Sequence, residues 1–289
     1  MAMTKRTSIG IIGAGFVGGT CARAFRQADF LYDVLVYDKN PSMSENTLEQ
    51  VAECDFVFVA VPTPSSKETG QCYTNIVESC VASVRNINKN NIIVIKSTVP
   101  PGTTKALDEK YGRVMFQPEF LTEANAFEDF IRLPYQIFGL TKTAHKDDDD
   151  VKKLAGIFLV LNAEKKMDCS TIYFMSSEQA EMVKYTRNNY LATRLSFFNE
   201  IKQIATKLGI SYEDLKFFAG MDGRIGNHYN SVDPKNPGWG GKCLFKDNNA
   251  LIYAAKQLGV EPTVLQAVKD KNLEVRAIHD WLNIDGTTI

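Results

Sequence analysis

Through the first half of the chain, short apolar runs alternate with longer stretches that mix polar and apolar positions. The runs at 8–12, 34–37, 56–61, 92–96, 114–117 and 136–140 are rich in Ile, Val and Phe and are mostly apolar throughout rather than alternating. Strands of a parallel sheet read this way, because helices cover both faces of the sheet. Helical spacing at 18–27 and 74–87 fills two of the intervals. The pattern predicts a Rossmann-type, doubly wound α/β domain.

Near residue 176 the pattern changes. Residues 177–208 contain neither proline nor glycine and place apolar side chains at helical spacing, with Ser176 or Ser177 as N-cap and Gly209 as the stop. Shorter helices are expected at 212–219, 245–258 and 262–281, with a loop dense in Gly, Pro and Asn before the second of them. The expected division is therefore a dinucleotide-binding domain over 1–175 and an all-helical domain over 176–289, the latter carrying the long helix 177–208 and a functional loop at 227–247. So small a domain cannot bury the apolar positions of so long a helix alone, and a homodimer formed through it is expected. The charged run 146–150 reads as a solvated connection.

Composition narrows the function classes. The 289 residues carry 33 Lys and Arg against 34 Asp and Glu, a net charge of −1, and no basic run interleaved with aromatics. A nucleic-acid partner is not expected. No apolar run is long enough for a signal-peptide core or a membrane span, so no membrane partner is expected either. The six cysteines form no CxxC pair and no metal-type cluster. They read as reduced thiols of a cytoplasmic protein with no bound metal.

The chemistry begins at Gly13-Ala14-Gly15-Phe16-Val17-Gly18, a GxGxxG string that follows one strand and opens a helix. A second strand ends in Asp38, 20 residues after Gly18. Such glycines let the backbone approach a pyrophosphate, which the free N–H groups of the helix N-terminus stabilise. Asp38 would accept hydrogen bonds from the ribose hydroxyls and repel a 2′-phosphate, which favours NAD over NADP. Three further segments end strands: VPTP with Pro62 and Thr63, KSTVPPGT with Thr98, and PEFLTE with Glu119, Phe120, Leu121 and Glu123. Strand C-termini are where open α/β sheets bind ligands. Lys184 and Asn188 lie one turn apart on the long helix, and the loop carries GWGGKCLFKD with Gly240, Cys243 and Asp247.

Together these strings resemble the UDP-glucose/GDP-mannose dehydrogenase family, over residues 9 to about 273. RIGNHYN at 224–230 resembles the members that act on UDP-glucose. The resemblance implies NAD-dependent, four-electron oxidation of a nucleotide-sugar C6 alcohol to a uronate, UDP-glucose to UDP-glucuronate. In such chemistry a cysteine thiolate adds to the aldehyde, and a second oxidation gives a thioester that water hydrolyses. By resemblance Cys243 is the nucleophile, Lys184 and Asn188 hold the C6 oxygen, and Glu119 with Thr98 manages the hydrolytic water. Asp247 orients that water or the lysine, or else caps the following helix. Gly13, Gly15, Phe16, Val17, Gly18, Asp38, Pro62, Thr63, Thr98 and Glu123 are assigned to the cofactor. Phe120, Leu121, Lys184, Asn188, Arg224, Tyr229 and Gly240 are assigned to the substrate, with Arg224 reaching in from a neighbouring subunit.

Two other readings accompany this one: a two-electron hydroxyacid-type dehydrogenase, which would need no thiol, and a non-catalytic NAD-binding homologue. The sequence also departs from the family pattern. The strand and helix that normally follow the ribose-binding acid are absent from 39–55, and a third, nucleotide-binding domain is not expected within the chain. Gln117 stands where Asn is frequent, and Phe245 where Pro is common.

Overall fold

The computed structural model describes residues 6–284 and 286–289. They fall into two compact units, one of residues up to 63 with 74–184, the other of 64–73 with 185–289.

The first unit is built on a seven-stranded sheet of order β2-β1-β3-β4-β5-β6-β7. Its strands are β1 (Thr7–Ile12), β2 (Tyr32–Tyr37), β3 (Phe56–Val59), β4 (Ile92–Ile95), β5 (Val114–Phe116), β6 (Tyr135–Leu140) and β7 (Thr171–Ser176). Pairing is parallel from β2 to β5; β6 joins β5 antiparallel through Phe116 and Gly139, and β7 is parallel to β6. All residues of β3, β4 and β5 are buried, as two-sided helix cover requires. Helices α1 (Phe16–Phe25), α2 (Leu48–Ala52), α3 (Asn75–Ile87), α4 (Thr103–Tyr111), α5 (Ala126–Ile131) and α6 (Asp149–Ala163) intervene. One core layer gathers Phe25, Phe58, Phe130, Phe138 and Phe158, and the opposite layer gathers Val57, Val59, Val81, Val84, Ile93 and Ile95.

Among the described residues no strand pairs with the outer side of β2. Much of its edge is met by a loop and by two arginines. Val36 N–H donates to Asn46 Oδ1 at 2.9 Å, and Val36 C=O accepts from the amides of Glu45 and Asn46. Asp38 N–H donates to Ser44 Oγ, while Arg6 donates to the Tyr32 carbonyl. Arg26, itself paired with Glu45, reaches the Val34 carbonyl.

The charged run 146–150 is more ordered than a solvated connection. Asp148 caps α6 by accepting from Asp150 and Val151 N–H, and it also pairs with Arg113 at 3.1 Å. Helix α7 (Ser177–Leu208) begins in the first unit and supplies its residues to Lys184 there. Ser176 opens it with a capping box: Gln179 N–H donates to Ser176 Oγ, and Ser176 N–H donates to Gln179 Oε1.

The second unit holds the rest of α7 with α8 (Tyr212–Gly220), α9 (Leu244–Gln257) and α10 (Thr263–Val275). The last of these stops short of the expected 281. Its C-cap Arg276 turns extended and pairs with Asp280, and the chain folds Trp281 against Phe245, ring centroids 4.0 Å apart. The segment 64–73 belongs here as well. Ser65 bridges both Cys72 and Thr288, with Ser65 N–H donating to the Thr287 carbonyl.

Candidate active site

In the first unit the glycine turn has the geometry that a dinucleotide phosphate requires. Gly13 sits at φ +94°, where side chains are strained, and a Cβ there would run into the Ala60 carbonyl. A Cβ on Gly18 would collide with the Gly13 carbonyl, so the helix can approach the strand only with glycine at this position. Around Gly15, by contrast, space is open, and no side chain caps the first turn of α1. Its amides therefore point at nothing that would compete with an anion, and no acidic residue sits in that turn to repel one. Asp38 Oδ2 accepts from Ala14 N–H at 2.7 Å and Oδ1 from Asn40 N–H at 2.8 Å. Those bonds fix the carboxylate beside the glycine turn and leave lone pairs for hydroxyl donors. These residues fit a dinucleotide.

The strand ends supply the next group. Thr63 Oγ donates to the Thr98 carbonyl at 2.8 Å, joining the turns that carry VPTP and KSTVPPGT. Pro62 is exposed and Thr98 half-buried. Glu119, 7% exposed, follows β5 and receives two donors: Lys184 Nζ at 2.6 Å on Oε1 and Leu121 N–H at 2.8 Å on Oε2. Burial alone would raise its pKa. The adjacent Lys184 charge and hydrogen bond, the Leu121 amide and the charge of Lys96 together hold it below the ordinary carboxylate range. Glu119 is thus an ionised carboxylate in a dry setting, paired with a buried ammonium. Glu123 lies exposed on the turn that follows.

Three features of this unit carry no sequence expectation. Lys96 is buried and donates to Gln117 Oε1 at 3.0 Å, and Gln117 Nε2 donates in turn to Gln136 Oε1. A charged residue closing the all-apolar run IIVI was the available signal. The third is Glu181 of α7, whose carboxylate accepts from Gly102 and Thr104 N–H, serving as the missing cap of α4. Burial pushes its pKa up to about 7.

In the second unit Cys243 is the N-cap residue of α9. Lys246 and Asp247 follow within the first turn, both buried. Asp247 does not cap the helix. Its Oδ1 takes Lys246 Nζ at 2.5 Å and its Oδ2 takes Asn188 Nδ2 at 2.5 Å. Burial alone would lower the Lys246 pKa. The charge of Asp247, joined by the thiols of Cys72 and Cys243, instead holds it above the ordinary lysine range. The Lys246 ammonium is thus within electrostatic reach of both thiols, Cys72 and Cys243. Gly240 is packed so closely on Arg276 and Asp280 that a Cβ would meet both side chains. Among the described residues no group of three His, Cys, Asp or Glu is disposed to hold a metal.

Comparison with known proteins places this arrangement. The model of the UDP-glucose/GDP-mannose dehydrogenase family NAD binding domain matches residues 36–158, and that of the family's central domain matches 178–274. The UDP-glucose 6-dehydrogenase of Campylobacter jejuni is 33% identical over 81% of this chain. The chain belongs to the UDP-glucose/GDP-mannose dehydrogenase family. The corresponding enzyme of Pseudomonas aeruginosa is 32% identical over 78% of the chain. A UDP-glucose dehydrogenase from Pyrobaculum islandicum superposes with a TM-score of 0.79 at 29% identity, over 95% of this chain and 69% of that one. The chain spans about half the length of the curated relatives it matches, 56% of the first and 49% of the second.

Membership in this family makes NAD the cofactor of the first unit. The remaining predicted positions are more exposed. Arg224 is on an exposed turn, its side chain 90% exposed and paired with Asp222. Tyr229 holds a φ of 50° in the same loop. Phe120 and Leu121 are half-buried beside Glu119, and Phe16 and Val17 form the first turn of α1. No helix among the described residues is long and apolar enough to cross a membrane.

Proposed function

We propose that this chain catalyses NAD-dependent oxidation of a nucleotide-sugar C6 alcohol to a uronate, with UDP-glucose as the substrate and Cys243 as a covalent nucleophile. The observation that carries the reading is the buried chain Asn188–Asp247–Lys246 immediately after Cys243. A dehydrogenase that stops at two electrons has no use for a cysteine set beside a buried ammonium.

NAD, when bound, accepts a hydride in each of two oxidations. The chain's own residues do the rest. Glu119 takes the hydroxyl proton or, later, a proton from the attacking water; its ionised state suits both tasks. Lys184 and Asn188 donate to the C6 oxygen as negative charge grows on it. The Cys243 thiolate adds to the aldehyde carbon, and the resulting thiohemiacetal is oxidised to a thioester. Water, oriented by Thr98, cleaves the thioester and returns the thiol. Asp247 holds Asn188 and Lys246 in place. Phe120, Leu121, Tyr229 and Gly240 line the sugar nucleotide, and Glu123 lies towards the nicotinamide.

The reading includes a homodimer through α7, with Arg224 serving the neighbouring copy. Tyr190, Phe197, Ile204 and Leu208 are exposed, and their spacing puts all four on one face of that helix. A cytoplasmic location goes with it, supported by six scattered cysteines that suit a reducing compartment.

The test is stoichiometry with the purified chain and UDP-glucose. Two NADH per sugar acid are expected, and Cys243→Ser should lower acid formation by at least about a thousandfold while NAD affinity is kept. One NADH per product, or acid formation that survives in Cys243→Ser, overturns the reading.

A further inference from the structure

In the second unit, residues 226–232 follow a path that their own backbone does not hold. Among the described residues, none from 227 to 232 makes a backbone–backbone hydrogen bond. Side chains hold the segment instead, through every second carbonyl. Arg194 of α7 donates from Nη2 to the Gly226 carbonyl at 2.6 Å and from Nε to the His228 carbonyl at 2.5 Å. The Tyr212 hydroxyl of α8 donates to the Asn230 carbonyl at 2.5 Å, and Lys202 Nζ to the Val232 carbonyl at 3.1 Å. Arg194, Phe198 and Lys202 follow one another at intervals of four and so share one face of α7. The Arg194 guanidinium lies 5.2 Å from the centroid of the Phe198 ring, which steadies its fork. Burial pushes the Tyr212 pKa up to about 12, so its phenol remains a donor.

Four such bonds are more than the stability of this segment asks. Residues 227–229 and 231 are exposed, so water would satisfy their carbonyls, and ordering an arginine and a lysine costs side-chain entropy. What the donors fix is the course of the chain. At its middle stands Tyr229, 38% exposed and at a φ of 50°, a left-handed conformation in which a tyrosine is strained. The carbonyl on one side, that of His228, is clamped by Arg194. The carbonyl on the other side, that of Asn230, is clamped by Tyr212. Freed of those bonds, Tyr229 relaxes to an ordinary negative φ and its ring turns elsewhere.

A strained aromatic, half-buried and clamped before and after, suits a contact that is shaped before its ligand arrives. We propose that Arg194 and Tyr212 are positioning residues for substrate binding, holding the Tyr229 ring in the orientation that meets the sugar nucleotide. The inference rests on the reading above, in which Tyr229 contacts that substrate.

Calorimetric titration of the full chain with UDP-glucose tests it without turnover. Tyr212→Phe keeps the buried ring and removes one bond, while Arg194→Lys keeps the charge but spans only one carbonyl. A loop that holds its competent form for only a fraction of the time binds more weakly by that fraction. Each variant should raise the Kd for UDP-glucose about five- to tenfold and leave that for NAD unchanged. With Tyr229→Ala already in place, the same substitutions should each change the Kd by less than about twofold, because they act through the ring. A merely structural loosening would weaken binding by the same factor in both backgrounds, and that result overturns the proposal. In the absence of ligand, chymotrypsin should cut after Tyr229 several times faster in either variant than in the native chain. Faster cutting at an unchanged Kd for UDP-glucose shows a clamp that does not serve binding, and also overturns the proposal. If Tyr229→Ala weakens binding and the two clamp variants do not, the proposal alone fails. If the native chain does not bind UDP-glucose, or Tyr229→Ala binds it as the native chain does, the functional reading of Tyr229 fails first and the proposal falls with it.

Discussion

At the residue scale, the ion pair of Glu119 with Lys184 decides how the first unit responds to acid. Glu119 titrates below its ordinary value of 4.5 in the fold. A carboxylate so depressed contributes stability that is complete above the unfolded pKa and is lost as pH falls through the folded one. Glu119→Gln leaves Lys184 buried without its counter-charge, and removing one partner of a buried pair costs about 3–5 kcal/mol. Urea unfolding should therefore show that loss near pH 7 and a shrinking difference as the pH drops below about 4.5. An equal difference at all pH values would mean that the pair is not the cause. The strings that carry Glu119, Lys184, Asn188, Asp247 and Cys243 stand out in the sequence by their order, and the structure pairs Glu119 with Lys184 and Asp247 with Asn188. The burial of Lys96 does not stand out in that way. Nothing local marks a lysine as buried when it follows four apolar residues, since a strand end is as often wet as dry. Nor does sequence show that Asp247 pairs sideways with Asn188 rather than capping α9, because Lys-Asp-Asn near a helix start suits either role.

At the element scale, α7 depends on its first turn. The capping box at Ser176 satisfies two amides that would otherwise face water, and Ser176→Ala should cost about 1 kcal/mol. Denaturant midpoints of the variant and of Gln179→Ala would check this, since the two halves of one box should not add fully. The 32-residue helix itself was legible to both ends, because it lacks breakers and ends at Gly209. The parallel strands were legible too, since burial on both faces leaves an unbroken apolar run. Strand β7 was not, because Tyr173 and Phe174 are exposed and its burial alternates irregularly. Helices α4, α5 and α6 are short or start in charged runs, so their periodicity is weak. The overrun of α10 has a tertiary cause: Arg276 and Asp280 pair across a turn that local propensity does not foresee.

At the scale of the whole molecule, the exposed apolar stripe of α7 calls for cover. Burying one such aromatic side chain is worth about 1.5–3 kcal/mol, and a symmetric contact buries each residue twice. Phe197→Asp should therefore halve the mass measured by light scattering at micromolar concentration and leave the circular dichroism spectrum in place. A variant that keeps the mass of the native protein would place the interface elsewhere. The edge of the sheet at β2 poses the opposite problem. A strand with bare amides and carbonyls is a template on which another chain can polymerise. Here the loop 44–46 and the arginines at 6 and 26 occupy those groups with side-chain and loop partners. Several of the edge's backbone groups are thereby taken up without a neighbouring strand. On this side fewer groups are left for a passing chain to pair with, and an added strand would have to displace the loop 44–46 before it could dock on β2.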